Sequence, residues 1–546
     1  MKKNFKFITN YWIDGKSISY EGLSNKDFTL KVNEGDDVLK VEFIPNGKIT
    51  NLNIIMQCDH DFIDTTKIFV NGYQSWTDSR EFTRDEKLPR IKGLGKLVSG
   101  IKMYGDELFV KYPNTNGVFH AYTYGYTRDD KKVCLFGSLT EKNGYTIITF
   151  DSINNNVKIT KDLDGVIVEN PINVFELAYI EGDYESAFDK YFELQELPPL
   201  KTKRTTGYTS WYNYYTNLKS SDVVNDLNSF KEKNVKIDLF QIDDGYQTQV
   251  GDWLSLKPDF EDMKSIVDQI HQNNIKAGLW LAPFACTTKS RIFKEHKDWL
   301  IKDDNGKFVS GVMNWGGNFY ILDYLNKDVQ NYLKEVFDVV LNKWGYDMVK
   351  LDFLYVACIT PRQNKSRGQL MCEALDFIRE CVGNKLILGC GVPLGPAFGK
   401  VDFCRIGCDV GLRWKETFIE KCLHRERVSV INTLNCTIFR RHLNGRAFVN
   451  DPDVFFLRDY NLKLNDEQKT IIAKVNKLFG GVLFVSDNIN TYSQETLKKL
   501  QEVYNDDDIK IVSAEYKQKN IIEIEYIKNG GNIEKFIFDI NLGKIL

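Results

Sequence analysis

Histidine is scarce in this chain: six of its 546 residues are histidine, and none belongs to an HExxH motif. Metal-dependent hydrolysis therefore has no support in the sequence, and we expect no metal site. The chain also lacks a GxSxG motif, a Walker-type phosphate-binding loop and a strand-linked GxGxxG motif. These absences weigh against an α/β-hydrolase, a P-loop nucleotidase and a dinucleotide-binding enzyme, so we expect no cofactor.

Features of secreted, membrane-spanning and nucleic-acid-binding proteins are missing as well. The eleven cysteines are odd in number and include no CxxC pair, which favours a reduced, cytoplasmic protein over a disulfide framework. No run of about 18 apolar residues predicts a membrane span, and no signal peptide is evident. A formal net charge of -3 gives no reason to expect a nucleic-acid or anionic-membrane partner. Homo-oligomerisation stays open.

The order of strand and helix patterns predicts three domains. Residues 1–190 show short apolar or alternating strands between Gly, Asn and Asp turns, which is typical of a β-sandwich. Residues 191–203 are interpreted as an exposed linker. From 204 to 505, strands alternate with amphipathic helices, which predicts a (β/α)8 TIM barrel, with a doubly wound sheet as the alternative. Residues 506–546 predict a small antiparallel β domain, too short to fold alone and therefore packed on the barrel.

Eight mostly apolar segments are the candidate barrel strands, and the active site of such a barrel lies at their C-terminal ends. They are Gly207–Tyr215, Leu239–Tyr246, Ala277–Phe284, Met348–Tyr355, Leu386–Leu394, Phe403–Val410, Cys436–Phe439 and Val482–Ser486. The polar stretch Asn450-Asp451-Pro452-Asp453 comes after the seventh segment. We interpret it as a turn near the rim of the barrel.

The fourth candidate strand carries two charges, Lys350 and Asp352, inside an apolar stretch. Side chains two apart on a strand share a face, and buried charges are costly unless they are paired or used. A lysine beside a carboxylate lowers the pKa of that carboxylate and keeps it ionised, as a nucleophile requires. A structural ion pair is the alternative. Asp347, just before the strand, is expected at the opposite end of the barrel in a structural role.

Other strands also end in charged groups. Strand two ends in Asp243 and Asp244, and strand six carries Arg405 and Asp409. Cleavage of a glycosidic bond needs two carboxylates with separated pKa values, which makes Asp352 and Asp409 the candidate pair. Arg405 is expected to orient the acid or hold a substrate hydroxyl, with a structural Arg–Asp pair as the alternative. Asp243 and Asp244 suit vicinal sugar hydroxyls, or else a turn or helix cap.

Aromatic residues are abundant at 13%, and several stand where predicted strands end. Trp211 and Tyr212 stand in the C-terminal part of strand one, and Trp280 stands near the end of strand three. Rings stack on the C–H faces of sugars but also fill protein cores, so both roles stay open. Cys390, between two glycines, is a candidate substrate-binding residue, with a small residue that only permits close approach as the alternative.

Taken in order, these motifs resemble glycoside hydrolase family 36, the α-galactosidase or melibiase family. The resemblance covers most of the barrel, and the three-domain layout is similar to that of the compact members. One departure concerns Cys408, because family members commonly have proline before the acid/base residue. The motifs that carry the resemblance are Asp238–Tyr246, Gly251-Asp252-Trp253, Gly278-Leu279-Trp280, Lys350–Leu354, Gly389-Cys390-Gly391 and Arg405–Asp409.

The resemblance implies roles for individual residues. Asp352 would be the nucleophile and Asp409 the acid/base of a retaining hydrolase. Asp243 and Asp244 would bind the O4 and O6 hydroxyls of galactose. Lys350 would bind the O3 hydroxyl and Arg405 the O2 hydroxyl. Trp280 would line the substrate pocket, and Trp76 would reach it from the N-terminal domain.

The function implied is an α-galactosidase that removes terminal α-galactose from oligosaccharides such as melibiose or raffinose, without a cofactor. An α-N-acetylgalactosaminidase and a transglycosidase are the alternatives within the family. A non-catalytic carbohydrate-binding barrel is a further alternative, against which the presence of both Asp352 and Asp409 weighs. The last alternative is a lyase or aldolase in which Lys350 forms a Schiff base.

Overall fold

The computed structural model describes residues 3–97, 100–260, 262–303 and 305–546. An N-terminal pair of antiparallel sheets is followed by an eight-stranded parallel barrel and a four-stranded antiparallel sheet. This order confirms the predicted fold class. Within those ranges, no helix is long and apolar enough to cross a bilayer. The division of the chain at residues 190, 203 and 505 stays a prediction.

Two antiparallel sheets enclose the apolar core of the N-terminal domain. The strands are β1 (Lys6–Ile13), β2 (Lys16–Glu21), β3 (Phe28–Glu34), β4 (Val38–Pro45), β5 (Thr50–Asp59), β6 (Lys67–Val70), β7 (Glu81–Phe82), β8 (Val118–Tyr122), β9 (Tyr124–Asp129), β10 (Lys132–Ser138), β11 (Thr146–Asp151), β12 (Asn156–Lys161) and β13 (Ile172–Asp183). One sheet has the order β2-β1-β5-β12-β11-β8 and the other β3-β4-β13-β10-β9-β6-β7. Burial alternates along β5, where Leu52, Ile54, Met56 and Cys58 are buried, as the two-residue period of a strand requires.

The barrel is built from eight parallel strands, and three short strands form a separate sheet beside it. The strands are β14 (Thr205–Thr209), β15 (Leu239–Ile242), β16 (Lys276–Leu281), β17 (Ala285–Thr287), β18 (Ser310–Asn314), β19 (Gly317–Ile321), β20 (Met348–Leu351), β21 (Leu386–Gly389), β22 (Phe403–Arg405), β23 (Val449–Asp451) and β24 (Val482–Val485). The barrel order is β23-β22-β21-β20-β16-β15-β14-β24, and β17, β19 and β18 make the small sheet. The backbone N–H of Gly481 donates to the carbonyl of Asn450 at 2.9 Å and joins the two ends of the barrel.

Eleven α-helices accompany the strands in the described residues. They are α1 (Tyr184–Leu194), α2 (Trp211–Tyr214), α3 (Ser220–Glu232), α4 (Met263–Gln272), α5 (Arg291–Glu295), α6 (Lys327–Asp338), α7 (Arg367–Val382), α8 (Leu394–Ala397), α9 (Val430–Phe439), α10 (Asp466–Phe479) and α11 (Gln494–Tyr504). Most of the longer helices begin at a side chain that accepts a backbone N–H, which satisfies a donor left free at a helix start. These caps are Asp183, Asp262, Ser290, Asn326, Ser366, Ser429, Asn465 and Ser493.

The predicted seventh strand is wrong. Cys436–Phe439 forms the last turn of α9 and is fully buried there. A short apolar run fits a buried helix as well as a buried strand, and periodicity cannot separate the two. The seventh strand is β23, Val449–Asp451, so half of the stretch interpreted as a turn, Asn450 and Asp451, is strand. β23 pairs with β22 in parallel, with Arg405 opposite Asp451.

The C-terminal sheet packs on the barrel and on the N-terminal domain. Its strands are β25 (Ile509–Gln518), β26 (Ile521–Lys528), β27 (Ile533–Asp539) and β28 (Lys544–Ile545). Tyr516 stacks on Phe439 with ring centroids 5.6 Å apart, and the indole N–H of Trp414 donates to the carbonyl of Ile540 at 2.8 Å. Arg128 of the N-terminal domain pairs with Glu515 at 3.1 Å. The prediction that this small domain packs on the barrel is therefore confirmed.

Candidate active site

A cavity of about 420 Å³ opens at the C-terminal ends of the barrel strands. Eight of the eleven predicted site residues line it, which brings together side chains from both large domains. These eight are Trp76, Trp211, Asp243, Asp244, Trp280, Lys350, Asp352 and Asp409. The other three, Tyr212, Cys390 and Arg405, are buried and do not line the cavity. The indole N–H of Trp76 donates to Sγ of Cys390 at 3.3 Å, which places Cys390 behind the wall.

Asp352 lies in the turn directly after β20, and its carboxylate is held from two sides. The indole N–H of Trp280 donates to Oδ2 at 3.1 Å, and the backbone N–H of Phe353 donates to Oδ1 at 2.9 Å. Phe353 has a φ of 53° and a ψ of 32°, a left-handed conformation that costs a bulky residue about 1–3 kcal/mol. Its ring packs against Trp76, with centroids 5.1 Å apart. This turn fixes the direction in which Asp352 faces the cavity.

Lys350 pairs with Asp243 and not directly with Asp352. Its Nζ lies 2.7 Å from Oδ2 of Asp243, and both side chains are buried. Burial opposes the charge on Lys350, but the carboxylate of Asp243 outweighs it, so the pKa of the ammonium group is raised. Burial also raises the pKa of Asp352, which Lys350 lowers and Asp409 raises. Lys350 thus lowers the pKa of Asp352, as predicted, but burial raises that pKa by more.

Asp243 and Asp244 follow β15 and face the cavity from a dense network of donors. Oδ2 of Asp243 accepts from Lys350 and, at 2.6 Å, from the amide of Gln241. Oδ1 of Asp244 accepts from the amide of Gln247 at 2.6 Å, and Oδ2 accepts from the indole N–H of Trp315 at 2.8 Å. Burial raises the pKa of Asp244 to about 6. Both carboxylates are therefore oriented before any ligand binds.

Asp409 has the most open setting of the four carboxylates, with 40% of its side chain exposed. Arg405 holds it at 2.8 Å, and the same guanidinium pairs with Asp451 at 3.2 Å and Asp453 at 3.0 Å. Because Arg405 is engaged by three carboxylates and does not line the cavity, the geometry favours the orienting role over the substrate contact. Asp453 also accepts the Tyr212 hydroxyl, which connects that predicted residue to the same cluster. Burial raises the pKa of Asp453.

The segment before Asp409 is firmly packed despite the departure at Cys408. The Cys408 side chain is 1% exposed, and its Sγ lies 3.5 Å from the hydroxyl of Thr433 on α9. The backbone N–H of Ser429, which caps α9, donates to the carbonyl of Asp409 at 3.1 Å. Helix α9 therefore supports the position of Asp409.

Trp76 reaches the cavity on a loop, residues 71–79, that Arg440 fastens to the barrel. The Arg440 guanidinium is fully buried and donates to Oδ1 of Asn71 at 3.0 Å, to the carbonyl of Ser75 at 2.7 Å and to that of Ile406 at 2.8 Å. Gly391, with a φ of +55°, makes room on the barrel side, because a Cβ there would lie 2.8 Å from the Trp76 ring. One arginine and one glycine thus place a tryptophan of the N-terminal domain in the barrel's cavity.

Replacing Arg440 by alanine should lower the free energy of unfolding by about 3–5 kcal/mol, since several buried acceptors lose their donor at once. Trp76 should also become more exposed to solvent. Denaturant titration and quenching of tryptophan fluorescence measure the two effects. Arg441→Ala is the matched control, because the neighbouring Arg441 is partly exposed and, among the described residues, donates only to the carbonyl of Ile438. Equal losses in the two variants would contradict the fastening role.

Several lining residues escape the sequence analysis. Trp315 lies at the tip of the β18–β19 hairpin with a φ of 50°, and Tyr104 comes from a short 3-10 helix of the N-terminal domain. Burial, together with Asp409 and Asp352, raises the pKa of Tyr104 to about 12, so its hydroxyl stays protonated. The Tyr104 ring stacks on His424, with centroids 4.5 Å apart. Only Trp315 had a sequence signal, since Asn314-Trp315-Gly316-Gly317 is a hairpin turn with an aromatic residue at its centre.

A family model described as Melibiase matches residues 201–369. This range runs from just before β14 to the start of α7, so it includes Asp243, Asp244, Lys350 and Asp352 but not Asp409. Among curated relatives, α-xylosidase XylQ of Lactiplantibacillus pentosus is 30% identical over 27% of this chain and 19% of its own length. Several other matching relatives are named α-galactosidases, and the chain spans 16–25% of their length.

Solved structures share the fold over nearly the whole chain. TtGalA, an α-galactosidase from Thermus thermophilus crystallised with p-nitrophenyl α-D-galactopyranoside, is 21% identical with a TM-score of 0.73. That match covers 93% of this chain and 96% of TtGalA. The α-galactosidase AgaA from Geobacillus stearothermophilus, titled as a GH36 enzyme, is 12% identical with a TM-score of 0.63, over 97% of this chain and 80% of AgaA. At these identities the likeness shows the fold.

Proposed function

Because the chain belongs to the melibiase family, glycoside hydrolase family 36, we propose that it is a retaining α-galactosidase. Its substrates are oligosaccharides of the melibiose and raffinose type, from which it removes terminal α-D-galactose. The observation that carries this proposal is the pair of carboxylates on one cavity in contrasting settings. Asp352 is held by Trp280 and a backbone N–H, whereas Asp409 is partly exposed beside Arg405.

These settings fit a double displacement. Asp352 attacks the anomeric carbon from the face opposite the leaving group, while Asp409 donates its proton to the departing glycosidic oxygen. The bond to the leaving group breaks, and a β-galactosyl ester with Asp352 forms. Asp409, now ionised, takes a proton from a water molecule that attacks the same carbon and releases α-galactose with Asp352 free. The exposure of Asp409 suits both proton transfers, because a leaving group and then a water must reach it.

The same cavity offers a set of groups for the galactosyl ring. Asp243 and Asp244 accept hydrogen bonds from the O4 and O6 hydroxyls, and Lys350 donates to O3. Trp280 and Trp76 supply flat faces for C–H groups of the ring. Since burial raises the pKa of Asp244 to about 6, substrate binding should weaken below that pH as this acceptor becomes protonated.

One rival function is disfavoured by the charge of Lys350. A Schiff-base lysine must lose its proton to attack a carbonyl, and its pKa is normally depressed for that purpose. Lys350 has a raised pKa and a carboxylate partner at 2.7 Å, so it stays an ammonium ion. A lyase or aldolase mechanism therefore finds no nucleophile at this position.

A set of p-nitrophenyl α-glycosides that differ only in the sugar tests the proposal. We expect release of nitrophenol from the α-galactoside and much slower release from the α-N-acetylgalactosaminide and the α-xyloside. Proton NMR of the first turnovers should show α-galactose before mutarotation. Preferred cleavage of another glycoside would replace the sugar assignment, and β-galactose as the first product would overturn the retaining mechanism.

A further inference from the structure

A second cavity, of about 470 Å³, adjoins the active-site cavity. The two share Glu420 and Val428 in their walls, so these residues form a ridge between them. Val428 is 54% exposed to solvent on this ridge. We call the second cavity the distal cleft; it is lined by residues 411–413, 415–416, 420, 428–429 and 461–463. Nothing in the proposed double displacement uses it.

The distal cleft begins next to Asp409, the proposed acid/base. Gly411 and Leu412, in its wall, come two and three residues after Asp409. Ser429, also in its wall, donates its backbone N–H to the carbonyl of Asp409 at 3.1 Å. An acid that protonates a glycosidic oxygen stands beside the leaving group. A chain that continues from that oxygen therefore has a path past Asp409 and over the ridge into the cleft.

The walls of the cleft are held in place by charge pairs and by backbone pairing. Arg413 pairs with Glu420, and Arg427 pairs with Glu416 at 2.7 Å. The backbone N–H of Lys463 donates to the carbonyl of Leu412 at 2.7 Å, which ties the two sides together. The cleft is thus a formed feature of the barrel rim and not a gap between unconnected loops.

The lining combines free donors with apolar faces. Lys415 and Lys463 form no ion pair with a carboxylate in the described part of the chain, which leaves their ammonium groups available. Leu412, Leu462 and Val428 supply apolar surface beside them. A neutral sugar chain needs this combination, because each ring presents hydroxyls at its edge and C–H groups on its faces.

We propose that the distal cleft binds the sugar residues of the leaving group beyond the one next to the cleaved bond. This assignment rests on the proposed α-galactosidase function and deepens it. It makes the protein an enzyme whose efficiency rises with the length of the oligosaccharide, with Lys415 and Lys463 donating to hydroxyls of the distal residues. The ligand class is a neutral oligosaccharide of three or more units.

Two substrates separate the cleft from the catalytic pocket. p-Nitrophenyl α-galactoside fills the pocket alone, whereas the tetrasaccharide stachyose extends beyond it. Replacing both lysines (Lys415→Ala with Lys463→Ala) should lower kcat/KM for stachyose about tenfold, mainly through KM, because two hydrogen bonds are lost. The aryl galactoside should keep its native kcat/KM. A matched control, Lys26→Ala with Lys48→Ala, removes two exposed lysines of the N-terminal domain and should change neither value.

A glutamine pair at positions 415 and 463 identifies the chemistry of the ligand. Glutamine keeps hydrogen-bond donors without charge, so most of the efficiency on stachyose should return. If glutamine were as poor as alanine, the cleft would serve an anionic ligand and the neutral-chain assignment would be overturned. Equal losses on both substrates, or no loss on either, would remove the cleft from substrate binding while the α-galactosidase assignment stands. If the native protein hydrolysed neither substrate, the proposed function would fail, and the cleft assignment with it.

Discussion

Asp352→Asn should lower kcat for every α-galactoside on the order of 10⁴-fold or more, since a neutral amide cannot form the glycosyl ester. Asparagine has nearly the shape of aspartate, so folding and galactose binding should stay close to native. Its one amide oxygen can accept from Trp280 or from the backbone N–H of Phe353, which bind different oxygens of the aspartate, so only a modest loss of stability is expected. Steady-state kinetics, thermal unfolding and calorimetric titration with galactose measure the three properties.

Asp347→Asn is the matched control for this loss. Asp347 precedes β20, at the opposite end of the barrel, where its carboxylate accepts from His271 at 2.8 Å, from the Ala277 backbone at 3.0 Å and from Lys385 at 3.0 Å. Its replacement should lower stability and leave kcat of the folded enzyme near native.

Azide added to Asp352→Gly should restore turnover with β-galactosyl azide as product, because the small anion enters from the nucleophile's face. Near-native kcat in Asp352→Asn would refute the assignment.

Asp409→Asn should have an effect that depends on the leaving group. For raffinose, kcat/KM should fall by about 10²–10⁴, since the sugar oxygen departs poorly without a proton. For an aryl galactoside with an acidic phenol, kcat/KM should stay within about tenfold of native, because this leaving group needs little protonation. The kcat for the aryl substrate should nevertheless fall, as the second step has lost its base.

The two carboxylates can be told apart by the product formed with azide. In Asp409→Asn, azide attacks the β-galactosyl ester in place of water and should give α-galactosyl azide, the opposite anomer to that expected from Asp352→Gly. The pH profile should also lose the limb assigned to the acid/base. Equal losses for raffinose and the aryl galactoside would show that Asp409 acts only through the structure of the rim.

The site residues that can be predicted from the sequence are mainly those that directly follow barrel strands. Charges inside an apolar stretch, such as Lys350 and Asp352, stand out because burial demands a partner or a use. Asp243 and Asp244 stand out for the same reason, and parallel strands bring such positions to one rim. The partner of Lys350 was not predictable in this way. Asp243 lies on a different strand, and its distance depends on the closure of the whole barrel.

The other walls of the cavity depend on long-range packing that local patterns do not encode. Trp315 comes from a hairpin inserted after the third barrel strand, and Tyr104 from a short 3-10 helix of another domain. The seventh strand was missed because its three residues, Val449–Asp451, are mostly polar and are held by pairing with β22. The apolar segment Cys436–Phe439 is the better strand candidate by composition, yet it forms the end of helix α9.

The contact between Trp76 and the barrel also sets the time at which the enzyme becomes competent during synthesis. Ribosomes release the N-terminal sandwich first, and domains generally fold as units in that order. Arg440, however, is 365 residues beyond the Ser75 carbonyl that it binds. The loop bearing Trp76 therefore stays without its anchor until most of the barrel has left the ribosome. A nascent chain arrested before residue 440 should carry a folded sandwich and no galactosidase activity.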